Sequence, residues 1–161
     1  MQVLEPVFPR NLKKINYETP QTLVWNILHK WKLWNYKFTD VCATEQNKKF
    51  PRYISKKQNA LKLKWNFPFF MNPPFDDLDT WVRYAYRQHK EENSTGFMIV
   101  PCYTDSSWWT DCIGDHMQKC DNFHFLHTRL GFLFHNKEVR GKNGKPQKYF
   151  MPCAFILYRK K

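Results

Sequence analysis

Two short apolar segments, separated by a segment of helical character, constrain the fold of this chain more than any other feature. Residues 67–71 are apolar throughout and residues 96–101 read GFMIVP, a composition typical of strands that are buried on both faces. Between them, acids beginning at Asp76 stand where the positive end of a helix is expected, and this helix is predicted to continue to about Glu92. A strand, a helix and a second strand favour parallel pairing of the two strands.

The remaining segments continue this alternation. Thr19 and Pro20 have the residue types of an N-cap and of a first helical position, so a helix is predicted from there to about Asn35. The alternation predicts an α/β fold with a mostly parallel sheet and helices on both faces, in which ligands bind beyond the carboxyl ends of the strands. The loops after Ala43, Met71 and Pro101 are therefore the expected place for chemistry. We also predict strands over residues 38–43, 123–126, 130–134 and 152–158, helices over 58–65 and 106–119, and loops over 44–58 and 140–145.

The chain shows no internal repeat and no break in composition that would mark a domain boundary. We predict an extended N-terminal arm over residues 1–18, because Pro6 and Pro9 oppose regular structure, and a single domain over residues 19–161. No apolar run reaches the length of a membrane helix, and the first residues do not resemble a secretory signal. We therefore expect an intracellular protein (in the host cytoplasm, if it is viral) that is neither secreted nor bound to a membrane.

The charge is strongly positive, with 26 Lys and Arg against 14 Asp and Glu and a net charge of +12. This excess favours a polyanionic partner, with nucleic acid the leading candidate, although a basic surface without a partner is the simpler alternative. The excess is local, since one acid, Glu45, stands among the basic residues of positions 44–66. These basic residues are Lys48, Lys49, Arg52, Lys56, Lys57, Lys62 and Lys64.

The five cysteines indicate neither a disulfide framework nor a structural metal. Their number is odd and no two of them form a CxxC pair. Cys112, His116 and Cys120 would stack on one face of a helix, but structural zinc sites usually hold their cysteines two to four residues apart. We expect no metal in this protein.

The tetrad Asn72-Pro73-Pro74-Phe75 directly follows the first apolar strand and has a specific chemical use. The lone pair of an amino group on an aromatic ring is delocalised, so the amine is a poor nucleophile. Two acceptors on its N–H bonds can turn that lone pair toward an incoming methyl group, and the Asn72 side chain and the Pro73 carbonyl provide them. The second proline restricts the backbone of Pro73, and Phe75 offers a face for a flipped base. The alternative is a rigid turn that ends the strand, with Phe75 in the core.

Together with its neighbours, this tetrad resembles the phage-type DNA N6-adenine methyltransferase family, enzymes that depend on S-adenosylmethionine. The resemblance implies an α/β fold: a Rossmann-like methyltransferase sheet with helices on both faces and an antiparallel C-terminal strand pair. It implies catalytic roles for Asn72, Pro73, Pro74 and Phe75. The matching segments, in the family's order, are Thr19-Pro20, FTDVCAT (38–44), NKKFPRY (47–53), NALKLKW (59–65), FFMNPPF (69–75) and PCYTDSSWW (101–109), and KYFMPCAFILY (148–158) is similar to the family's last strand.

The same resemblance implies a binding site for S-adenosylmethionine. Asp40 is expected to make a polar contact with the cofactor, and Thr19 is expected near its methionine end. Thr19 as a helix cap and Asp40 as a strand-end acid are the structural alternatives. The complete expected set is Thr19, Pro20, Asp40, Cys42, Ala43 and Asn59.

DNA is the expected partner, with RNA less favoured, and phosphate contacts would make binding sensitive to salt. Trp108 and Trp109 are candidates to line the channel of the target strand, although one of them is expected in the core because neighbouring tryptophans on a helix point apart. A separate recognition domain is not evident, so sequence preference is either short and carried by the loop over residues 137–148, or supplied by a recognition partner or the second subunit of a homodimer. The expected nucleic-acid contacts are Lys48, Lys49, Arg52, Trp108, Arg140, Lys142 and Lys145.

The first hypothesis is therefore methyl transfer to the N6 amino group of adenine in DNA. The alternative is a catalytically degenerate relative that binds nucleic acid or a partner protein, and a zinc-stabilised DNA-binding protein is a weaker third possibility. The degenerate reading is favoured by two departures from the family pattern: Asn59 where an acid is usual, and Tyr103 where an arginine is common. Phe75 in place of the commoner tyrosine retains the stacking face and loses a hydroxyl.

Overall fold

The computed structural model describes residues 18–131, 133–134, 137–138, 140, 143–146, 148–149 and 151–161. The arm predicted over residues 1–18 lies outside the described residues except for Glu18, and Lys142 lies outside them as well. Glu18 is buried.

A six-stranded sheet forms the centre of the described structure, with the strands in the order β2-β1-β3-β4-β8-β5. Strands β1 to β4 pair in parallel, and β8 pairs antiparallel with both β4 and β5. The predicted antiparallel pair is therefore present as β5 and β8, but β8 is inserted between β4 and β5. The strands are β1 (Thr39–Asp40), β2 (Arg52–Tyr53), β3 (Phe69–Met71), β4 (Gly96–Pro101), β5 (Asn122–Phe125) and β8 (Cys153–Tyr158); β6 (Leu133–Phe134) and β7 (Lys137–Glu138) form a separate antiparallel pair.

Helices cover both faces of this sheet, as predicted. Helix α1 (Gln21–Lys30) packs on one face, and α2 (Leu78–Glu92) and α3 (Ser107–Cys112) pack on the other. Side chains alternate along β3: Phe70 belongs to the core beneath α1, whereas Phe69 and Met71 belong to the core beneath α2 and α3. This period of two explains why a strand buried on both faces reads as an unbroken apolar run.

Gly96 illustrates how tightly the strands are packed. It lies in register with Phe69 on the neighbouring strand β3, and a methyl group added at Gly96 would overlap the Phe69 ring. Glycine is therefore required by the close approach of a ring, at the position where β4 begins.

Two helices differ from prediction at their ends. Helix α1 starts at Gln21 with Pro20 as its N-cap, so the prediction of Thr19 as N-cap was wrong. It ends at Lys30 and not near Asn35, because Lys32 adopts a left-handed conformation (φ 55°) and the chain turns there. Trp31 and Leu33 are both buried by this turn.

Helix α3 is also shorter than the segment 106–119 that was predicted. It ends at Cys112, and the amides of Ile113 and Gly114 both donate to the Trp109 carbonyl over 2.8 Å, with Gly114 at φ 93°. His116 and Cys120 therefore do not continue a helical stack from Cys112. Among the described residues, no group of three or more His, Cys, Asp or Glu is placed to hold a metal ion.

The pattern of apolar residues predicted the bounds of the shortest strands and helices poorly. Strand β1 has two residues instead of the predicted six, and β2 lies inside the segment predicted as a loop. The helix predicted over residues 58–65 is a single 3-10 turn at Ala60–Lys62. In the described part of the chain, no helix combines the length and the apolar character needed to cross a membrane.

Candidate active site

The site predicted at the carboxyl ends of the strands lies where the order of the sheet reverses. Strand β1 is flanked by β2 on one side and by β3 on the other, and such a switch point is the usual ligand site of a parallel sheet. Asp40 is in register with Phe70, and the Val41 amide donates to the Phe70 carbonyl over 3.0 Å. Asp40 ends β1 and Asn72 follows the end of β3, so both residues lie at this edge.

Asp40 is a buried carboxylate, with 3% of its surface exposed. Its Oδ1 accepts a hydrogen bond from the Cys42 amide (3.3 Å), and its Oδ2 accepts one from the Lys49 amide (3.0 Å). Burial raises the pKa of Asp40 to about 6, although both hydrogen bonds and the charge of Lys49 act in the opposite direction. The carboxylate is therefore mostly ionised at neutral pH and held by backbone amides.

Lys49 belongs to this site and not to the open surface. Burial lowers the pKa of its half-buried ammonium group, while the nearby carboxylates of Glu18 and Asp40 act to raise it. Its carbonyl accepts a hydrogen bond from Gln21 Nε2 (3.3 Å), which connects the loop to helix α1. The phosphate contact predicted for Lys49 stays a prediction, and the structure adds that its charge interacts with two acids of the site.

Thr19 and Pro20 precede helix α1, next to Glu18. The Thr19 side chain is fully buried, and Oγ1 has no hydrogen-bond partner among the described residues. A buried hydroxyl without a partner is costly, so it is a candidate contact for a polar ligand. Pro20 is half-buried, and its carbonyl accepts the Leu23 amide (3.1 Å) in the first turn of the helix.

The tetrad forms a turn at the end of β3 that is neither sealed in the core nor fully exposed. Asn72 is half-buried, Pro73 is buried, and Pro74 is exposed with its carbonyl accepting the Asp77 amide (3.1 Å). The half-buried Phe75 packs against the cores on both faces of the sheet. Asn72 is thus positioned by a strand before it and by a double proline after it.

A pair of tyrosines beside the tetrad was missed by the sequence reasoning. The hydroxyls of Tyr103 and Tyr149 are 2.7 Å apart, and the Tyr149 ring meets the Phe75 ring edge to face, with centroids 5.0 Å apart. Burial, followed by the hydrogen bond with Tyr103, raises the pKa of Tyr149. The two residues are 46 positions apart, so spacing carried no signal. The only signal in the sequence was the position of Tyr103 directly after the predicted strand that became β4.

The other expected cofactor residues lie around β1 and β2. Ala43 is buried and its amide donates to the Ile54 carbonyl (3.3 Å), whereas burial raises the pKa of the Cys42 thiol well above its usual value. Cys42 is therefore unsuited to act as a nucleophile. Asn59 is half-buried in a left-handed conformation (φ 54°) at the start of the 3-10 turn after β2.

The expected nucleic-acid contacts separate into exposed and buried residues. Arg52 is exposed on the edge strand β2, and Lys145 is exposed as well. Lys48 pairs with Glu45 (2.7 Å) and lies over the Tyr53 ring (4.9 Å).

The basic turn near residue 140 is partly ordered by its own contacts. The exposed guanidinium of Arg140 contacts the Glu138 carboxylate and donates to the Gly144 carbonyl, both over 2.8 Å. Lys142, in the same turn, lies outside the described residues.

The tryptophans do not line a channel. Trp108 and Trp109 are 5% and 2% exposed, belong to the same core, and have ring centroids 5.7 Å apart. The premise that neighbouring tryptophans point apart was wrong here, because α3 is short and packs on α2 and the sheet. The structure does not place Trp108 for contact with nucleic acid.

Fold and site together define an α/β protein with a ligand site at the switch point of a largely parallel sheet. The family model for DNA N-6-adenine-methyltransferase (Dam) matches residues 10–160, and the chain belongs to this family. The chain is 27% identical to the DNA N-6-adenine-methyltransferase of Haemophilus phage HP1 (strain HP1c1) over 140 residues, which cover 85% of this chain and 79% of that protein. It is 31% identical to the DNA N-6-adenine-methyltransferase of Escherichia phage T1 over 74 residues, which cover 45% of this chain and 31% of that protein. The family predicted from the sequence segments is confirmed, and the degenerate alternative is not favoured.

Proposed function

We propose that this protein transfers a methyl group from S-adenosylmethionine to the N6 amino group of adenine in DNA. The single observation that carries the proposal is the position of the Asn72 tetrad at the carboxyl end of β3, one strand from the buried Asp40 of β1. Membership of the DNA N-6-adenine-methyltransferase family supports the same reaction. The order of strands β2-β1-β3-β4 and the helices on both faces support a Rossmann-like sheet for this chain.

The residues around Asp40 fit S-adenosylmethionine. When bound, this cofactor supplies a methyl group that is electrophilic because it is attached to a sulfonium. The ionised Asp40 is an acceptor for an ammonium or a hydroxyl of the cofactor, and the buried Thr19 hydroxyl lacks a partner among the described residues. Asn59, after β2, is proposed to contact the cofactor as well, and the backbone near Cys42 and Ala43 is proposed to border it.

The tetrad acts on the amine by orientation. Asn72 Oδ1 and the Pro73 carbonyl accept the two N–H bonds of the target amine, which directs the nitrogen lone pair out of the ring plane. Pro74 restricts the backbone of Pro73, and the Phe75 ring stacks on the flipped base. The proton lost from nitrogen leaves after methylation, when the amine is positively charged and strongly acidic, so the site needs no strong base.

DNA is held by basic side chains in this proposal. A net charge of +12 favours phosphate binding, and we propose Lys48, Arg52, Arg140, Lys142 and Lys145 as contacts. The phage relatives are consistent with action inside a host cell. A second subunit or a recognition partner is proposed as the source of sequence preference, because a separate recognition domain is not evident from the sequence.

The proposal is tested by following labelled methyl groups from S-adenosylmethionine into unmethylated DNA. We expect label in N6-methyladenine with the parent protein and at least a hundredfold less with Asn72→Ala, since removal of one such oriented contact costs about 10² to 10³ in rate. Asn66→Ala is the matched control, because Asn66 is exposed and lies before β3. RNA is assayed in parallel. Binding of DNA without binding or turnover of S-adenosylmethionine would contradict the proposal.

A further inference from the structure

Three aromatic side chains from distant parts of the chain meet beside the tetrad. Tyr103 follows β4, Tyr149 precedes β8, and Phe75 closes the tetrad. Their contacts form a series: the two hydroxyls are 2.7 Å apart, and the Tyr149 ring contacts the Phe75 ring edge to face at 5.0 Å. The ring that is proposed to stack on the target base is therefore in contact with a ring that a hydrogen bond fixes.

The backbones of both tyrosines are held by other bonds. Ser106 Oγ donates to the Tyr103 carbonyl (2.6 Å), and the Tyr149 amide donates to the Leu130 carbonyl (2.7 Å). The hydroxyl pair is consequently not needed to place either segment. What it fixes is the orientation of the two rings about their side-chain bonds.

The packing of the site also does not require hydroxyls at these positions. Both tyrosines are half-buried, and phenylalanine would fill nearly the same volume in a wall that is otherwise aromatic. Desolvating two hydroxyls is unfavourable unless they bond to each other, and a bond formed in this environment strongly restricts their geometry. The bond between the two hydroxyls is thus a polar contact that packing does not explain, and the Tyr149 ring connects it to Phe75 of the tetrad. This arrangement indicates a role in positioning.

We infer that Tyr103 and Tyr149 are positioning residues that set the plane of the Phe75 ring for stacking of the target adenine. This inference rests on the proposed function. Tyr149 acts through edge-to-face contact with Phe75, and Tyr103 acts through its hydroxyl on Tyr149. In this arrangement the loop after β4 takes part in base positioning without contacting the base.

The test compares Tyr103→Phe, Tyr149→Phe and the double variant in methylation of DNA. Each single variant removes the same hydrogen bond, so we expect kcat to fall about 3- to 10-fold in each and not to fall further in the double variant. Affinity for S-adenosylmethionine, measured by calorimetry, is expected to stay within twofold. Tyr84→Phe is the matched control, because it removes a hydroxyl bond of equal length, to the Leu63 carbonyl (2.7 Å), away from the tetrad.

A second measurement does not depend on activity. With 4-fluorophenylalanine incorporated at position 75, the parent is expected to show one sharp ¹⁹F resonance, and Tyr103→Phe and Tyr149→Phe are expected to broaden or split it. Unchanged kcat and an unchanged resonance in both variants would overturn the positioning role while leaving methylation by the parent intact. A parent that transfers no methyl group would instead contradict the proposed function, and the resonance would still decide whether the pair orients Phe75.

Discussion

The backbone amide of Lys49 donates to Oδ2 of Asp40 over 3.0 Å, so the segment between them closes back onto the strand that carries the carboxylate. The Cys42 amide binds the other oxygen at 3.3 Å. Asp40 is therefore oriented by its own loop, and burial raises its pKa to about 6 in spite of these bonds. The charge state of this one carboxylate is sensitive to pH in a range where most aspartates stay ionised.

Binding of S-adenosylmethionine is expected to weaken as the pH falls through about 6. In the proposed function, the ionised Asp40 accepts hydrogen bonds from the cofactor and attracts its positive charge, and protonation would remove both interactions. Calorimetric titrations across this range should show affinity falling roughly tenfold per pH unit below the pKa for the parent, as expected when Asp40 must release one proton before the cofactor binds. Asp40→Asn should bind weakly and with little pH dependence, whereas the exposed Asp115→Asn should resemble the parent. An identical pH profile for Asp40→Asn and the parent would refute the role of Asp40.

Ionisation of Asp40 is expected to favour cofactor binding but to lower the free energy of unfolding. Since its pKa is higher in the folded state than in the unfolded chain, the folded protein binds more protons between these two values. The free energy of unfolding should therefore fall as the pH rises from about 4 to about 6, and this contribution amounts to about 2 to 3 kcal/mol over the full window.

Urea denaturation of the parent and of Asp40→Asn at several pH values measures this contribution. The difference between the two proteins isolates Asp40 from the histidines, which titrate in both. A difference that does not vary with pH would show that the carboxylate is not desolvated as the structure indicates.

Much of the fold could be predicted because the central strands β3, β4 and β8 are buried on both faces. Strand β4 was predicted with its observed bounds, and α2 was predicted within two residues, since an apolar run and an amphipathic segment bounded by acids leave few alternatives. The two-residue strands β1 and β2 could not be bounded in this way. Their place in the sheet is determined by pairing with neighbours that are distant in sequence.

The site was predictable where one segment carries the chemistry and unpredictable where contacts join distant segments. Asn72 was predicted from its place after an apolar strand and Asp40 from the family resemblance, and both lie at the carboxyl ends of neighbouring strands. The surroundings of the Lys49 side chain depend on how the loop after β1 folds back to Asp40. The hydrogen bond between Tyr103 and Tyr149 depends on the insertion of β8 next to β4. Neither relationship leaves a local pattern in the sequence.

Gly96→Ala is expected to destabilise the protein by about 1 to 3 kcal/mol or more, the usual cost of overpacking a core. The added methyl group would overlap the Phe69 ring, which cannot move away because it is fully buried beneath α2 and α3. The midpoint of urea denaturation should fall accordingly. Gly131→Ala is the matched control, since no atom of the described residues, its chain neighbours aside, lies within 4 Å of the added methyl group there, and equal stability of the two variants would contradict the packing described.

Substitutions at Arg52 and Lys49 are expected to affect DNA binding and cofactor binding separately, although the two residues are three positions apart in the same basic segment. Arg52 is exposed on an edge strand, so Arg52→Ala should weaken DNA binding and reduce the slope of log affinity against log salt by about 1. Lys49 faces Glu18 and Asp40, so Lys49→Met should leave this slope unchanged and alter the affinity for S-adenosylmethionine. Fluorescence anisotropy of labelled DNA at several salt concentrations, with calorimetry of the cofactor, measures both quantities. Lys49 was predicted from the sequence as a phosphate contact, so a slope lowered equally by both variants would support that prediction and contradict a role for Lys49 in the cofactor site alone.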